Sequence, residues 1–166
     1  MCNGKPSDDA FTLHMTHNTL HKSITENSQD RPQKIVTLSE AEALLPKVKP
    51  LIEQLQGLQR SIIQTNKQLD ELVGKLSAGN GYPIQSLKTE IQHVTEHQLR
   101  LIEAFQSALQ QLEDLGAMLK DVNAGLIDFY STREGELIFL CWKLGEERIR
   151  FWHTLEDGFA GRRPLE

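Results

Sequence analysis

Side chains able to bind a metal ion or to transfer a proton are concentrated in the last third of the 166-residue chain. They are Asp128, Cys141, Glu146 and His153, and they lie in or beside segments with the alternating pattern of β-strands. Zinc accepts thiolate, imidazole and carboxylate ligands, and a cysteine paired with a histidine can also act as a nucleophile. The residue types therefore indicate a metal site or a catalytic pair. The competing interpretation is that the cysteine packs in the core, the histidine ends a strand and the glutamate lies in a turn.

Two further histidine groups have spacings that suit zinc. His14, His17 and His21 would share one face of a helix, but no acidic or thiol side chain accompanies them, so we interpret them as part of a polar tail. Residues 93–97 spell H-x-x-E-H, the signature of one class of zinc proteases. They fall within a predicted long helix, where no pocket is expected around them, so we interpret the match to this signature as chance.

Tryptophan and arginine residues form a candidate surface patch composed of Trp142, Arg148, Arg150, Trp152 and Arg162. With a three-residue turn at 144–146, this face would pair Trp142 with Arg148, Leu140 with Arg150 and Ile138 with Trp152. The opposite face would pair Cys141 with Ile149, Phe139 with Phe151 and Leu137 with His153. Because arginine stacks favourably on indole, the first face suits a tryptophan–arginine surface. The competing interpretation is an ordinary set of solvated charges.

Composition excludes several classes of protein. The chain is 39% hydrophobic and 25% charged with a net charge of −5, and no segment is strongly basic, so a nucleic-acid partner is not expected. Its apolar runs are only a few residues long, so no membrane span is expected. Residues 1–5 lack the apolar segment of a signal peptide. Cys2 and Cys141 do not make a disulfide framework, and we expect a reducing cytoplasmic location.

The first predicted helix has a clear apolar stripe but an ambiguous beginning. Apolar residues recur from residue 44 to residue 76 at steps of three and four, which is typical of one buried helix face. Ser39 and Glu42 have the spacing of a capping box. However, Pro46 and Pro50 should kink or break the first turns. We therefore expect the regular helix to begin near Lys47.

A second predicted helix covers residues 84–122, after a turn at residues 77–83. The two apolar stripes match as an antiparallel hairpin when paired positions sum to 163, with Thr65 opposite Gln98 as a polar layer. Such a hairpin resembles an elongated coiled coil. Because two helices bury only a narrow seam, we expect the C-terminal segment or a second copy of the chain to cover more of it, and we predict a dimer.

The remaining segments predict strands at residues 34–37, 125–130, 136–143 and 147–153. The fold class is therefore α+β, a long antiparallel helical hairpin with a small antiparallel β-sheet formed mainly by the C-terminal third. Residues 1–33 are polar and without sustained periodicity, so we predict a disordered extension. Residues 34–166 are predicted to form a single domain.

Seven short segments carry a family resemblance: TLSEA at 37–41, LLP at 44–46, GLIDF at 125–129, LCW at 140–142, LGE at 144–146, WH at 152–153 and GFAGR at 158–162. Together they resemble an uncharacterised prokaryotic family, domain of unknown function 2203, over about residues 34–165. The family pattern would place a proline after the Asp-Phe pair, where this chain has Tyr130. The shape of the turn at this position is therefore not implied by the resemblance. The resemblance implies a fold and a characteristic C-terminal segment, and it implies no activity.

Two functions follow as hypotheses. The first is a non-enzymatic structural or protein-interaction role, with the helical hairpin binding a second copy or another protein and with no cofactor. The alternative is a small metal- or ligand-binding protein, possibly an enzyme, that uses the region of Asp128, Cys141, Glu146 and His153, with zinc as the metal. Convergence of these four side chains in the fold distinguishes the two.

Overall fold

The computed structural model describes residues 34–79, 81 and 83–165. The elements are α1 (Leu38–Ala78), α2 (Ile84–Asp114), β1 (Ala117–Asp121), β2 (Leu126–Arg133), β3 (Glu136–Lys143), β4 (Phe151–Thr154), a 3-10 turn (Phe159–Gly161) and β5 (Arg163–Pro164). The predicted α+β class, a two-helix hairpin with an antiparallel sheet, is confirmed. Neither helix combines the length and apolar composition needed to cross a membrane within the described residues. The predictions for residues 1–33, including His14, His17 and His21, lie outside them.

Helix α1 begins earlier than expected and passes through both prolines. Its capping box uses Thr37 and Glu40: the Thr37 hydroxyl accepts from the Glu40 amide at 3.2 Å, and the Glu40 carboxylate accepts from the Thr37 amide at 2.8 Å. The hydrogen bonds that the Glu40 carboxylate accepts from the amide and the hydroxyl of Thr37, each at 2.8 Å, lower the pKa of Glu40. Pro46 and Pro50 are exposed, so water can satisfy the carbonyls that they leave without a donor. The predicted break near Lys47 is therefore wrong.

Helix α2 ends at Asp114 rather than at residue 122. Gly116 has a φ of 90° and its amide donates to the Glu113 carbonyl at 2.8 Å, which is a left-handed helix termination. The chain then enters β1, where Leu119 pairs with Ile127. The apolar residues between 115 and 122 keep the three-and-four spacing of the helix, so the sequence predicted that the helix extends over them. In the structure this segment contains strand β1 instead.

The antiparallel pairing of the helices agrees with the predicted stripes near the tip of the hairpin. Leu72, Leu87 and Val94 form one buried cluster, with Leu69, Leu76 and Ile91 packed around it. The polar layer differs by one residue. Gln98 donates to the side chain of Asn66, whereas the Thr65 hydroxyl donates to carbonyls of its own helix.

The five strands pair in the order β1-β2-β3-β4-β5, each antiparallel to the next. Strand β3 has the predicted bounds, but β4 begins four residues later than predicted. Cys141 consequently pairs with Phe151, and Phe139 with His153. The predicted register is wrong by two residues because residues 144–150 form a longer connection than a three-residue turn. A shift of two preserves the face on which each side chain lies.

The segment before α1 contributes less β-structure than predicted. Ile35 forms an isolated parallel bridge with Tyr130, and the Val36 amide donates to the Tyr130 carbonyl at 2.8 Å. Tyr130 lies within β2, so the chain continues as a strand where the family pattern suggested a proline. Its ring packs against Phe139 on the neighbouring strand.

Gly125→Ala is expected to lower the free energy of unfolding by about 2–5 kcal/mol, because a left-handed conformation and steric overlap act together. Gly125 has a φ of 63°, and a Cβ there would lie 2.5 Å from the Cβ of Leu144 and 3.1 Å from Cγ2 of Ile52. Gly135 has a φ of 86° but no heavy atom within 4 Å of such a Cβ. Gly135→Ala is the control and should cost only about 1–2 kcal/mol. Urea unfolding measures both, and equal losses would contradict the tight contact at Gly125.

Candidate functional site

Three adjacent strands bring Asp128, Cys141 and His153 to one face of the sheet. Asp128 on β2 lies directly opposite Cys141 on β3, and His153 on β4 lies opposite Phe139, two residues before Cys141. Alternate residues of a strand share a face, so all three side chains point the same way. Their potential ligand atoms lie within 4.8 Å of one another, and the residues are only 2%, 0% and 4% exposed.

The opposite face of the sheet lies against the start of α1. Ser131, Ile138 and Leu140 line one groove together with Val36 and Leu38. These strand residues alternate with the three site residues, so the site and the start of α1 occupy different faces. The site residues are nevertheless buried. Each of their polar atoms therefore destabilises the fold unless it has a hydrogen-bond or ionic partner.

Both ring nitrogens of His153 face oxygen atoms. Nδ1 lies 2.8 Å from the carbonyl oxygen of Thr154, and Nε2 lies 3.2 Å from Oδ2 of Asp128. A carbonyl can only accept, so Nδ1 carries a proton and donates it. An ionised carboxylate also only accepts. The contact with Asp128 therefore requires a second proton on the imidazole, a proton on the Asp128 carboxyl group, or a cation that both Nε2 and Oδ2 bind.

Asp128 has one carboxylate oxygen without a hydrogen-bond partner among the described residues. Oδ1 is that atom, and it is buried. Oδ2 faces His153 and also lies 3.8 Å from the Lys120 ammonium. A buried oxygen without a donor costs about 1–3 kcal/mol. Oδ1 of Asp128 is therefore available to a further partner, such as a metal ion.

Lys120 approaches the site from β1, where the pairing with β2 is irregular between Leu119 and Asp121. Its ammonium lies 4.7 Å from the centre of the Phe139 ring as well as 3.8 Å from Asp128. The side chain is 38% exposed, so the ammonium lies at the boundary between the buried cluster and solvent. Sequence reasoning missed Lys120 because it placed residue 120 on a helix.

The environment of Cys141 disfavours a nucleophilic role in the metal-free protein. Burial, followed by the negative charge of Asp128, raises the pKa of the thiol from its ordinary value of 9.0 to about 12. A reactive cysteine needs an accessible thiolate, whereas this one is fully buried and protonated. A metal ion bound at this position would replace the thiol proton and favour the thiolate.

An alkaline titration should reveal the raised pKa of Cys141. The unfolded chain loses its thiol proton near the ordinary pKa, whereas the folded chain keeps it until about pH 12. The stabilisation is therefore complete below about pH 9 and is lost as pH rises toward 12. In metal-free protein, the stability advantage of wild type over Cys141→Ala should shrink by on the order of 1 kcal/mol between about pH 8 and about pH 10. A stability difference between wild type and Cys141→Ala that stays constant over this pH range would contradict a buried thiol with a raised pKa.

Glu146, the fourth candidate ligand, is held by Arg162 instead. Both carboxylate oxygens accept from Nη2 of Arg162 at 2.9 Å, and Oε2 also accepts from the Lys143 amide. Arg162 reaches the same strand by donating to the Cys141 carbonyl at 3.4 Å, and its guanidinium lies 4.1 Å from the centre of the Phe151 ring. These contacts pin the C-terminal segment beside Cys141.

The predicted tryptophan–arginine patch is divided in the fold. Trp142 is buried and its indole donates to the Glu146 carbonyl at 3.0 Å, while Arg148 and Arg150 are exposed. Trp152 pairs with Leu140 rather than with Ile138. Two other arginines, Arg133 and Arg163, lie over its ring at 5.1 and 5.2 Å.

The histidines of the H-x-x-E-H segment are on the surface of α2. His93 and His97 are exposed, and the Glu96 carboxylate accepts from the Gln92 side chain at 3.0 Å. Among residues 34–79, 81 and 83–165, Asp128, Cys141 and His153 are the group of three or more ligand-type side chains with metal-binding geometry.

The comparisons with known proteins identify a family. A family model described as "Uncharacterized conserved protein (DUF2203)" matches residues 34–165, which confirms the resemblance, and the chain belongs to this family. Neither the comparison with curated proteins nor the comparison with solved structures found a match. The matched region includes every residue of the buried cluster and of the Arg162–Glu146 pair.

Proposed function

We propose that this member of the family binds one divalent metal ion, zinc by its ligand types, through Asp128, Cys141 and His153. The carrying observation is the contact of 3.2 Å between Nε2 of His153 and Oδ2 of Asp128, made while Nδ1 donates to a backbone carbonyl. Metal-binding histidines characteristically donate their other ring nitrogen to such a carbonyl, which leaves a lone pair directed at the ion. The unpartnered Oδ1 of Asp128 supports the same role.

The choice of zinc follows from the donor types. A thiolate, an imidazole and a carboxylate match the preferences of zinc, whereas magnesium and calcium take oxygen ligands almost exclusively. The ion would join β2, β3 and β4, because each strand supplies one ligand. A reducing cytoplasmic location suits this function, since it keeps the Cys141 thiol available for the metal. Cell fractionation tests that location, and recovery from an oxidising compartment would contradict it.

Calorimetric titration of full-length, untagged protein with Zn2+ tests the proposal. Wild type should bind one tight equivalent per chain, and Asp128→Asn, Cys141→Ser and His153→Gln should each weaken binding by more than the roughly 100-fold that loss of an outer-shell partner can cost. The control replaces His14, His17, His21, His93 and His97 with glutamine, and it should retain the tight equivalent. Loss of binding in this control, with retention in the three site variants, would refute the site. If the three residues form a buried polar cluster that binds no metal, no tight binding of Zn2+ is expected.

Self-association through the hairpin is a second candidate function. Val73, Ile84 and Leu99 are large apolar residues on the helices that remain 48%, 59% and 54% exposed. A second copy that covered them would remove apolar surface from water, which favours association. Light scattering at about 10–100 µM, a range that detects micromolar association, should then show a dimer. Leu99→Gln should weaken it, and a strict monomer would contradict the proposal.

A further inference from the structure

We infer that the metal-loaded site takes one small monoanion, such as a carboxylate, as an additional ligand beside the Lys120 ammonium. This inference rests on the proposed metal site and identifies the class of molecule that the site would bind. It follows from the number of protein ligands, from the balance of charge around the site and from its route to solvent.

The number of protein ligands leaves a coordination position open. Asp128, Cys141 and His153 each offer one ligand atom, and no fourth histidine, cysteine or carboxylate joins them among the described residues. Glu146 is engaged by two contacts of 2.9 Å with Arg162. Zinc sites with three protein ligands characteristically complete their coordination with water or an exogenous ligand.

The balance of charge favours a monoanion at that position. A dication, one thiolate and one carboxylate sum to zero, and the imidazole ligand is neutral. Lys120 then contributes a positive charge 3.8 Å from Oδ2 of Asp128. Arg162 and Glu146, which both act on the Cys141 thiol, offset one another. The loaded cluster and Lys120 together carry one excess positive charge at the boundary between the buried ligands and solvent, which favours an anion there.

The surroundings limit the size of the anion. The three ligand residues are at most 4% exposed, whereas the Lys120 side chain is 38% exposed and marks the side that opens to solvent. The rings of Phe139 and Tyr130 pack together beside it, with centroids 4.6 Å apart. A small carboxylate would meet the ammonium with its charged end and these rings with its apolar end. A large polyanion would not be compensated by a single lysine.

Cobalt-loaded full-length protein allows a direct test, because Co2+ absorption responds to changes in its ligands. Acetate is the probe, titrated at constant ionic strength against sulfate as a dianion. A saturable spectral change is expected with acetate. Lys120→Met should weaken the apparent acetate affinity by about tenfold or more, and Lys120→Arg should retain most of it. Lys143→Met, an exposed lysine on β3, is the matched control and should behave like wild type.

The outcomes separate this inference from the proposed function. If Co2+ binds through Cys141 but acetate changes nothing, the anion site is refuted and the metal site stands. The same conclusion follows if Lys120→Met and wild type bind acetate equally well. If neither Co2+ nor Zn2+ binds tightly, the proposed metal site fails and the anion site fails with it.

Discussion

Zinc is expected to raise the thermal midpoint of the wild-type protein and to leave that of Cys141→Ser unchanged. Asp128, Cys141 and His153 come from three strands, so their ligand atoms meet only in the folded chain. A ligand that binds only the folded state stabilises it by about 2.7 kcal/mol at 100 times its dissociation constant. For a chain of this size, this corresponds to a rise of about 5–10 °C.

The comparison is made by thermal unfolding of each protein with chelator and with excess zinc. Cys141→Ser retains nearly the same volume, so its fold should survive and its response to zinc should be lost. Lys143→Met, with all three ligands intact, should show the wild-type rise. An equal rise in Cys141→Ser and wild type would assign the effect to zinc bound elsewhere, for example at exposed histidines.

Phe129→Ala is expected to lower the free energy of unfolding by about 3–5 kcal/mol, the range for removing a fully buried aromatic ring. Phe129 is completely buried and lies next to Asp128 in β2, so its side chain belongs to the opposite face of the sheet. Phe159 is 50% exposed in the 3-10 turn, and Phe159→Ala should cost about 1 kcal/mol or less. Urea unfolding in the presence of chelator separates these effects from metal binding. Similar losses in the two variants would contradict the packing of β2.

Strand alternation explains why most of the site was predictable from sequence. The predicted β3–β4 register was two residues out, because the sequence between Lys143 and Phe151 does not specify how long the connection is. An error of two leaves every side chain on its original face. Cys141 and His153 were therefore expected on one face and lie there, and Asp128 joins them through its pairing with Cys141.

Other parts of the site depended on features that periodicity does not detect. Leu119 continues the three-and-four spacing of apolar residues in α2. The sequence therefore predicted a helix where the structure has a helix end at Gly116 and the strand that carries Lys120. Gly116 was the available signal, since glycine commonly ends helices in a left-handed conformation. The pairing of Glu146 with Arg162 joins a turn to a segment 16 residues away, and no local pattern indicates such a contact.

X-ray absorption at the zinc edge of the zinc-loaded protein tests the central claim, because it identifies the atoms bound to the metal. The account predicts one sulfur at about 2.3 Å together with nitrogen and oxygen ligands at about 2.0–2.2 Å. In Cys141→Ser the sulfur contribution should disappear. A spectrum of wild-type protein with only nitrogen and oxygen ligands, or with a sulfur contribution that persists in Cys141→Ser, would contradict a zinc site built from Asp128, Cys141 and His153.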